Sequence, residues 1–328
     1  MTENFSEGFF ALAQQAQNIA LTTHIASDGD GMVSAIILQE ILRQSGLSST
    51  IITDGEDLSR YSFLMQNCQY RAFQGDEQFD LVIVLDCHSL ERLGERSALL
   101  KHARSVVVMD HHVSEHNPIP ADLTVIDHHF VSVGAIIYRL LEPQIKSLQP
   151  AIRKFIADGI YVTILNDTNN FSNSNTTAEV FALCAELARD GMQAHLMHQA
   201  FLQNQSAQEM LYVGNSLANI KLYHHDQILF FHSDLALAAR LKIDPSSLMS
   251  VIRYVQGVAN LWAIAYFREL KKGVWKVSLR SLKINVQEIA AKYGGGGHRN
   301  AAGLTLKGTL SEVQDQILQD ISAAIKQL

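Results

Sequence analysis

The sequence predicts an α/β protein whose N-terminal part is a doubly wound, mainly parallel sheet. Two runs support this class most directly: LVIVL at 81–85 and VVVM at 106–109 are short, rich in β-branched residues and apolar throughout. Such runs are expected where a parallel strand is buried on both faces. Helical stretches separate most of the strand candidates, which is the alternation typical of a doubly wound sheet.

The elements of the N-terminal part follow one another in a regular order. The strand candidates are short apolar runs near 19–23, 49–53, 81–85, 106–109 and 123–126. A helix is expected at about 5–17, a second begins near Ser132, and a third, largely buried, spans 151–165. The segment 178–220 contains few helix breakers, so packed helices and a stiff connector are expected there, with no flexible linker.

A smaller α/β domain, joined to the first by this helical connector, is predicted at the C-terminal end. Its strand candidates are 228–232, 260–267 and 274–280, and its helix candidates are 285–293 and 309–327. At 328 residues the chain is longer than a single hydrophobic core usually supports, so two domains are expected. The predicted boundaries are 1–190 for the first domain, 191–220 for the connector and 221–328 for the second domain.

Acidic and imidazole side chains follow several of these hydrophobic runs. The members are His24, Asp28, Asp30, Asp86, Asp110, His111, His112 and Asp167. Ligands gather at the carboxyl ends of the strands of an open α/β sheet, so these side chains should converge although they are far apart in sequence. So many acids would repel one another without cations, and two divalent metals that share one bridging carboxylate would remove this repulsion.

Each of these residues has a simpler interpretation when it is taken alone. An aspartate after a strand is often a turn former or the N-cap of the next helix, and a His-His pair is often on the surface. These residues nevertheless occur in four separate sequence segments, each at the end of a predicted strand or helix, and this repetition favours one shared site. Asp127, His128 and His129 repeat the triplet after a shorter run, and we interpret them as a connection into the helix that begins near Ser132.

The composition favours a soluble, cytoplasmic enzyme. Hydrophobic residues make up 47% of the chain, and its three cysteines, Cys68, Cys87 and Cys184, are too dispersed for a disulfide framework or a zinc site. The sequence has no signal-peptide pattern and no apolar run of membrane-spanning length. A reducing compartment is therefore expected.

Charge is distributed unevenly along the chain. The net charge is −7, yet residues 1–220 contain 12 Lys and Arg against 25 Asp and Glu, whereas residues 221–328 contain 14 against 8. An acidic part beside a basic part suits a small phosphorylated substrate that contacts both. It does not suit long duplex DNA, which requires an extended basic track. The alternative is that the asymmetry is only solvated surface.

Four consecutive glycines, Gly294 to Gly297, form the most informative feature of the C-terminal part. Consecutive glycines cost backbone entropy and are expected where the backbone approaches a ligand closely or has a positive φ. Such a loop, followed by basic residues, is predicted to bind a phosphate or a base. The predicted substrate-binding residues are Gly295, Gly296, Gly297, His298, Arg299, Arg280 and Ser281. A flexible turn and an ordinary surface arginine are the alternatives.

These motifs together resemble the DHH phosphoesterase superfamily, in the branch that carries a C-terminal DHHA1 domain, and in particular its NrnA-like subfamily. The resemblance rests, in family order, on THIASDGDGMVSA, VLDCHSLERLG, VVVMDHHVSEHN, NDTNNF and VSLRS with INVQEIAAKYGGGGHRNAAG. Three departures concern neighbouring loops: Ser27 replaces a usual Pro, Met32 to Ser34 replace a small-residue step, and Asn169 replaces a Gly. None of these departures removes a predicted ligand.

The resemblance implies a role for each residue of the first domain's site. It assigns His24, Asp28 and Asp86 to one metal, and it assigns Asp30, Asp86, His111 and Asp167 to the other, with Asp86 as the bridge. It implies that Asp110 orients an imidazole and that His112 contacts the scissile phosphate or donates a proton to the leaving group. Oxygen-rich ligation with one or two imidazoles fits two Mn²⁺ ions, with Mg²⁺ or Co²⁺ as substitutes.

The implied activity is Mn²⁺-dependent hydrolysis of very short oligonucleotides and linear dinucleotides to mononucleotides, and of pAp. The expected partner is a short single-stranded oligonucleotide or dinucleotide, and neither long duplex DNA nor a membrane is expected to bind. The sequence leaves open whether the chain forms a homodimer. One alternative is a cyclic-dinucleotide phosphodiesterase. A family II inorganic pyrophosphatase is disfavoured by the GGGH loop, and a nucleotide sensor without turnover is disfavoured by the complete ligand set.

Overall fold

The computed structural model describes residues 2–112, 117–244 and 251–328. The chain divides into two compact units, with the boundary between Asn204 and Gln205. The segment predicted as a connector, 191–220, is divided between them. Its helix at 194–202 packs into the first unit, and its helix at 207–217 packs into the second.

The first unit is built on a six-stranded parallel sheet. Its strands are β1 (Ile19–Thr22), β2 (Ser49–Thr53), β3 (Tyr70–Ala72), β4 (Leu81–Leu85), β5 (Ser105–Asp110) and β6 (Leu123–Ile126). Their spatial order is β3-β2-β1-β4-β5-β6. The register pairs Ile19 with Ser49 on one side and with Leu81 on the other. The order reverses between β1 and β4, and this switch point is where such sheets bind ligands.

Helices cover both faces of this sheet. They are α1 (Thr2–Gln15), α2 (Gly29–Gln44), α3 (Leu90–Leu93), α4 (Val133–Leu140), α5 (Glu142–Ser147), α6 (Pro150–Asp167), α7 (Ala178–Arg189) and α8 (Ala194–Leu202). The main core lies between the sheet and α1, α2, α4 and α6, and a smaller core lies under α3 on the other face. Every residue of β4 is buried, as expected for a central parallel strand.

The described residues of the second unit, 205–244 and 251–328, form a mixed six-stranded sheet and four α-helices. Its strands are β7 (Lys221–Tyr223), β8 (Ile228–Ser233), β9 (Ala263–Lys271), β10 (Val274–Arg280), β11 (Gly296–His298) and β12 (Ala301–Lys307). Its helices are α9 (Ala207–Leu217), α10 (Leu235–Leu241), α11 (Val286–Ala291) and α12 (Leu310–Ile325). The order is β11-β12-β10-β9-β8-β7, with β8 and β9 parallel and the other pairs antiparallel. Helices α11 and α12 pack on one face, and α9 and α10 pack on part of the other.

The predicted fold class is confirmed, and several boundaries match. The structure has the predicted strands at 49–53, 81–85, 123–126 and 274–280. Strands β3, β7 and β11 were not predicted, since three residues carry little periodicity. The seven-residue strand β12 was also not predicted, because its first residues were interpreted as part of the glycine-rich loop. The packed helices expected at 178–220 are α7, α8 and α9, which are separated by short breaks. No helix in the described ranges is long and apolar enough to cross a membrane.

The contact between α2 and α6 depends on Gly159. A Cβ atom at this position would stand 2.3 Å from Cγ2 of the buried Ile37. We expect Gly159→Ala to lower the free energy of unfolding by about 1–3 kcal/mol, because the helices must separate. Denaturant unfolding followed by circular dichroism measures the change. Gly8→Ala in α1 is the control: its Cβ would meet Leu123 at an ordinary 3.8 Å, so stability should be kept or raised. Equal losses would contradict this account.

Candidate metal centre

Strand and helix ends of the first unit bring the predicted ligands to one edge of the parallel sheet. His24 lies two residues beyond β1, Asp86 follows β4 directly, and Asp110 is the last residue of β5. Asp28 is the N-cap residue of α2, and Asp167 is the last residue of α6. The structure thus places these side chains at the carboxyl edge, where the sequence pattern predicted them.

Six of these side chains form two groups of ligand atoms, each group lying within 4.8 Å. The first group is His24, Asp28 and Asp86, and the second is Asp30, His111 and Asp167. In the first, Nε2 of His24 lies 3.4 Å from Oδ2 of Asp86 and 4.0 Å from Oδ1 of Asp28. In the second, Nε2 of His111 lies 3.0 Å from Oδ2 of Asp167 and 3.6 Å from Oδ2 of Asp30.

Asp86 connects the two groups. Its Oδ2 faces His24, whereas its Oδ1 lies 3.5 Å from Nε2 of His111. The carboxylate is only 2% exposed, and Oδ1 is buried without a hydrogen-bond partner of normal geometry. The residue also has a φ of 59°, which is uncommon for a non-glycine residue and is often found at functional sites. A buried carboxylate with an unsatisfied oxygen is a suitable bridging ligand for two cations.

Backbone carbonyl oxygens hold the Nδ1 atoms of two imidazole rings. Nδ1 of His24 lies 2.8 Å from the carbonyl oxygen of Ile25, and Nδ1 of His111 lies 3.3 Å from that of Phe130. This arrangement leaves Nε2 of each ring for a metal, as in most histidine metal sites. The residues therefore fit divalent cations in both the chemistry and the orientation of the donor atoms.

Asp30 also anchors the local fold. Its carboxylate accepts hydrogen bonds from the Val133 and Gly134 amides at 2.7 and 3.2 Å, and from the Ser34 hydroxyl at 3.1 Å. The two amides belong to the first turn of α4, where a negative charge is favourable. One buried carboxylate thus joins α2, α4 and the second ligand group.

Asp110 lies beside the two ligand groups, within 4.8 Å of ligand atoms of Asp86, His111 and His112, and it is bonded to two imidazoles. Its Oδ2 forms a short hydrogen bond with Nδ1 of His88, and its Oδ1 lies 2.8 Å from Nδ1 of His112. Oδ1 also accepts from the His111 and His112 amides. This geometry supports the predicted role of Asp110 in orienting an imidazole. His88 was not among the predicted site residues, although its position two residues after Asp86 was a usable signal.

The charges at this edge are unbalanced without cations. Burial, followed by the charges of Asp167 and Asp86, raises the pKa of Asp30 well above its ordinary value. Burial opposes ionisation of Asp86, yet hydrogen bonds donated by His111 and His24 lower its pKa. Burial likewise lowers the pKa of His111, but its hydrogen bonds to Asp167 and Asp86 outweigh this and raise it to about 11. The excess negative charge therefore favours protonation of side chains such as Asp30 and His111, and bound cations would displace these protons.

The second triplet, Asp127, His128 and His129, lies between β6 and α4, outside these two groups. Its three ligand atoms lie within 4.8 Å of one another, but both histidines are exposed. Nδ1 of His129 lies 2.9 Å from Oδ1 of Asp127, and the His129 side chain is 81% exposed. No fourth ligand from another element joins the triplet among the described residues.

In the second unit, Arg280 and Ser281 have different environments. Arg280 is half-buried and donates to the carbonyl of Leu279 at 2.8 Å, and no carboxylate among the described residues pairs with it. Burial lowers the pKa of its guanidinium. The Ser281 hydroxyl donates to the Trp262 carbonyl at 2.6 Å and accepts from the amides of Lys283 and Ile284. Ser281 thus stabilises a turn and has no bonding capacity left for a substrate.

The glycine loop is explained in part by packing within the sheet. A Cβ atom on Gly295 would lie 2.3 Å from the Gly303 carbonyl oxygen, and Gly297 has a φ of 136°. A Cβ atom on Gly294 or Gly296 would meet no atom within 4 Å, so the backbone at these two glycines leaves room for a ligand. Arg299 is exposed. The side chain of His298 lies outside what the structure describes.

Comparison with known proteins agrees with these features. Residues 18–164 match the DHH family N-terminal domain, and residues 233–327 match the DHHA1 domain. The chain belongs to the DHH family. Both matched segments are in the predicted order, and they confirm the resemblance inferred from the motifs.

Several relatives are similar over nearly their whole length and are named bifunctional oligoribonuclease and PAP phosphatase NrnA, and three of them are described here. The protein from Mycoplasma genitalium is 24% identical over 319 residues, covering 94% of this chain and 95% of its own. The protein from Thermus thermophilus is 28% identical over 307 residues, covering 92% and 89%. The protein from Bacillus subtilis is 27% identical over 316 residues, covering 94% and 95%.

Solved structures show the same fold. The crystal structure of an exopolyphosphatase-related protein from Bacteroides fragilis has a TM-score of 0.86 at 19% identity, covering 98% of this chain and 96% of that chain. RecJ from Thermus thermophilus, solved in complex with Mn²⁺, has a TM-score of 0.56 at 14% identity, covering 99% and 55%. At these identities the likeness supports the architecture alone.

The shared position of Asp86 leads to a test of metal binding. Asp86→Ala should reduce bound divalent metal from two ions towards none, because both ligand groups lose a member. Elemental analysis after dialysis against Mn²⁺ measures the stoichiometry. Asp127→Ala, in the exposed triplet, is the matched control and should keep the wild-type value. If Asp86→Ala retained both ions, the shared-ligand assignment would be wrong.

Proposed function

We propose that this chain is a two-metal phosphoesterase that hydrolyses short oligonucleotides and linear dinucleotides to mononucleotides, and also pAp. The observation that carries the proposal is Asp86, a buried carboxylate that joins two groups of metal-ligand type at the sheet edge. Three relatives of nearly equal length that are named for oligoribonuclease and PAP phosphatase activity support the substrate class.

His112 is the proposed proton donor. Its Nδ1 is bonded to Asp110, so Nε2 is the ring atom left for a substrate. The His112 side chain is 37% exposed, whereas Asp110 is fully buried. Asp110 and His88 fix the imidazole so that it can contact the scissile phosphate or protonate the leaving oxygen.

The proposed cofactors are two Mn²⁺ ions, with Mg²⁺ or Co²⁺ as substitutes. Cations held by these ligands would supply an activated water and neutralise the charge of the phosphate group. Four carboxylates with two imidazoles are a donor set that suits Mn²⁺, because Mg²⁺ accepts imidazole less readily. Asp28 is the most exposed of the four, with 49% of its side chain accessible, so it is the ligand that exchanges most easily.

In the second unit, Arg280, Arg299 and the loop at Gly296 are the proposed contacts to the non-reacting part of the substrate. Arg280 supports this role because it is a half-buried cation without an ion pair among the described residues. A guanidinium in such a position is suited to a phosphate. Ser281 is left out of this proposal because its hydroxyl is fully engaged.

One experiment tests the proposal directly. Purified protein with Mn²⁺ is assayed against linear di- to pentanucleotides, pAp, cyclic dinucleotides and pyrophosphate. The proposal expects mononucleotide release from the linear substrates and phosphate release from pAp. Cyclic dinucleotides opened as fast as linear ones would favour the cyclic-dinucleotide phosphodiesterase. Tight nucleotide binding without turnover of any substrate would favour a sensor and overturn the proposal.

The two histidine pairs provide a matched test of catalysis. His111→Gln should lower kcat for a dinucleotide by about 10²-fold or more, as expected for loss of a metal ligand. His129→Gln is the same substitution on the exposed triplet, and it should leave kcat within a few-fold. Steady-state kinetics at saturating Mn²⁺ measure both. The reverse ranking would show that the wrong triplet had been assigned to the site.

Arg280 provides a test that separates binding from chemistry. A charge-assisted contact contributes about 1.5–3 kcal/mol, so Arg280→Ala should lower kcat/KM for dinucleotides by roughly 10- to 150-fold. Bis-p-nitrophenyl phosphate, which lacks the rest of a nucleotide, should be hydrolysed almost as before. Arg240→Ala is the control, since Arg240 is exposed and bonded to Asn215. Equal losses on both substrates would mean that Arg280 supports the fold.

A further inference from the structure

A cavity of about 710 Å³ lies in the first unit beside the metal centre. Its walls come from the loop that follows β6, from α4 and from the start of α7. The apolar members of the lining are Phe130, Val131, Ala135, Val180 and Leu183. This volume is within the usual range of small-molecule pockets. None of the six side chains of the two ligand groups described above is among the described residues that line the cavity.

Two lining residues are nevertheless bonded directly to those ligands. The Phe130 carbonyl oxygen lies 3.3 Å from Nδ1 of His111. Among the other lining residues, Nδ2 of Asn175 donates to the Asp167 carbonyl oxygen at 3.2 Å. The cavity is therefore one residue away from two members of the second ligand group. The loop after β6 that carries Phe130 also lies at the same edge of the parallel sheet as the end of β5, so a molecule bound in the cavity would lie at the same edge as the metal centre.

The lining does not suit a phosphate. Among the described lining residues, Arg139 is the one Lys or Arg side chain, and both of its terminal nitrogens are bonded to Glu186, at 2.6 and 3.0 Å. Glu179 adds a negative charge to the wall. An anion would thus find an occupied cation and a repelling carboxylate. The ligand that fits is uncharged.

The lining does suit a flat heterocycle. His128 and His129 lie at the rim with ring centroids 4.3 Å apart and planes inclined by 33°. Exposed aromatic rings of this kind are used to stack nucleobases. Asn175, Thr177 and Glu179 add hydrogen-bonding groups for the polar edge of a base. Apolar walls, a stacking rim and a few polar groups together resemble a base pocket.

We propose that this cavity binds a nucleobase of the substrate, on the nucleotide whose phosphate lies at the metal centre. The inference rests on the proposed function and makes it more specific, because it requires a base next to the scissile phosphate. It also gives His128 and His129 a role in stacking, outside metal coordination. The second histidine pair and the first triplet would then serve one substrate.

The test closes the mouth of the cavity. Thr177 is exposed, lines the cavity and makes no capping hydrogen bond to α7, so Thr177→Trp should fill the mouth without disturbing the core. Ser174→Trp is the matched control, since Ser174 is an exposed residue of the same loop that does not line the cavity. Thermal unfolding of both variants confirms that each is folded.

Two substrates report on the base. One is a linear dinucleotide, and the other is an abasic analogue with the same sugar-phosphate chain. Thr177→Trp should lower kcat/KM for the dinucleotide by about 5- to 150-fold, which is the contribution of one stacked base. It should leave the abasic analogue unchanged, and Ser174→Trp should leave both unchanged. An equal fall on both substrates, or no fall on either, would overturn the proposal.

A binding measurement separates this inference from the proposed function. Equilibrium dialysis with adenosine, which has no phosphate, should show binding to the wild type and to Ser174→Trp, and none to Thr177→Trp. Adenosine binding that is unaffected by Thr177→Trp would refute the pocket. If the wild type hydrolyses no phosphoester, the proposed function fails while the dialysis still decides on the cavity. If Thr177→Trp changed the molecular mass of the assembly in solution without changing adenosine binding, the cavity would instead belong to an interface between copies of the chain.

Discussion

Mutual repulsion among buried carboxylates is the constraint on which the site depends. Asp30, Asp86 and Asp167 converge at one sheet edge in an environment of low dielectric constant, where like charges are costly. The two imidazoles of His24 and His111 offset only part of this charge. Divalent cations bound between these side chains would offset the remaining repulsion and stabilise a site of this composition.

The same carboxylates that would bind metal also hold the secondary structure in place. The Asp28 side chain caps α2 by accepting from the Asp30 and Gly31 amides, and the Asp30 side chain accepts from the first turn of α4. Asp110 terminates β5 and fixes His112. Ligand geometry and helix placement are therefore coupled. This coupling gives the ligands the rigidity that a preorganised site requires.

Much of this arrangement was predictable because strand ends are visible in a sequence. The apolar runs before Asp86 and Asp110 predicted both the buried strands and the edge at which the ligands meet. The position of His88 after Asp86 marked it as a candidate, but its bond to Asp110 was not predictable, since it joins the loop after β4 to the last residue of β5 and depends on the register of these strands. The Ser281 hydroxyl was misleading for a similar reason: only the structure shows that the Trp262 carbonyl and two amides already occupy it. The ligand-binding role of the glycine loop was predicted only from the conformational freedom of glycine. The structure shows that Gly295 is also required for packing, because a side chain there would collide with β12.

The two-metal proposal requires that Asp86 is shared by both ions at the carboxyl edge of the first sheet. Crystals of the protein can be soaked in Mn²⁺ and measured near the manganese absorption edge to locate the ions. We expect two anomalous peaks on either side of the Asp86 carboxylate, one beside His24 and Asp28 and the other beside His111 and Asp167. A single peak at this edge, or a peak at Asp127 and His129 in its place, would contradict the proposal.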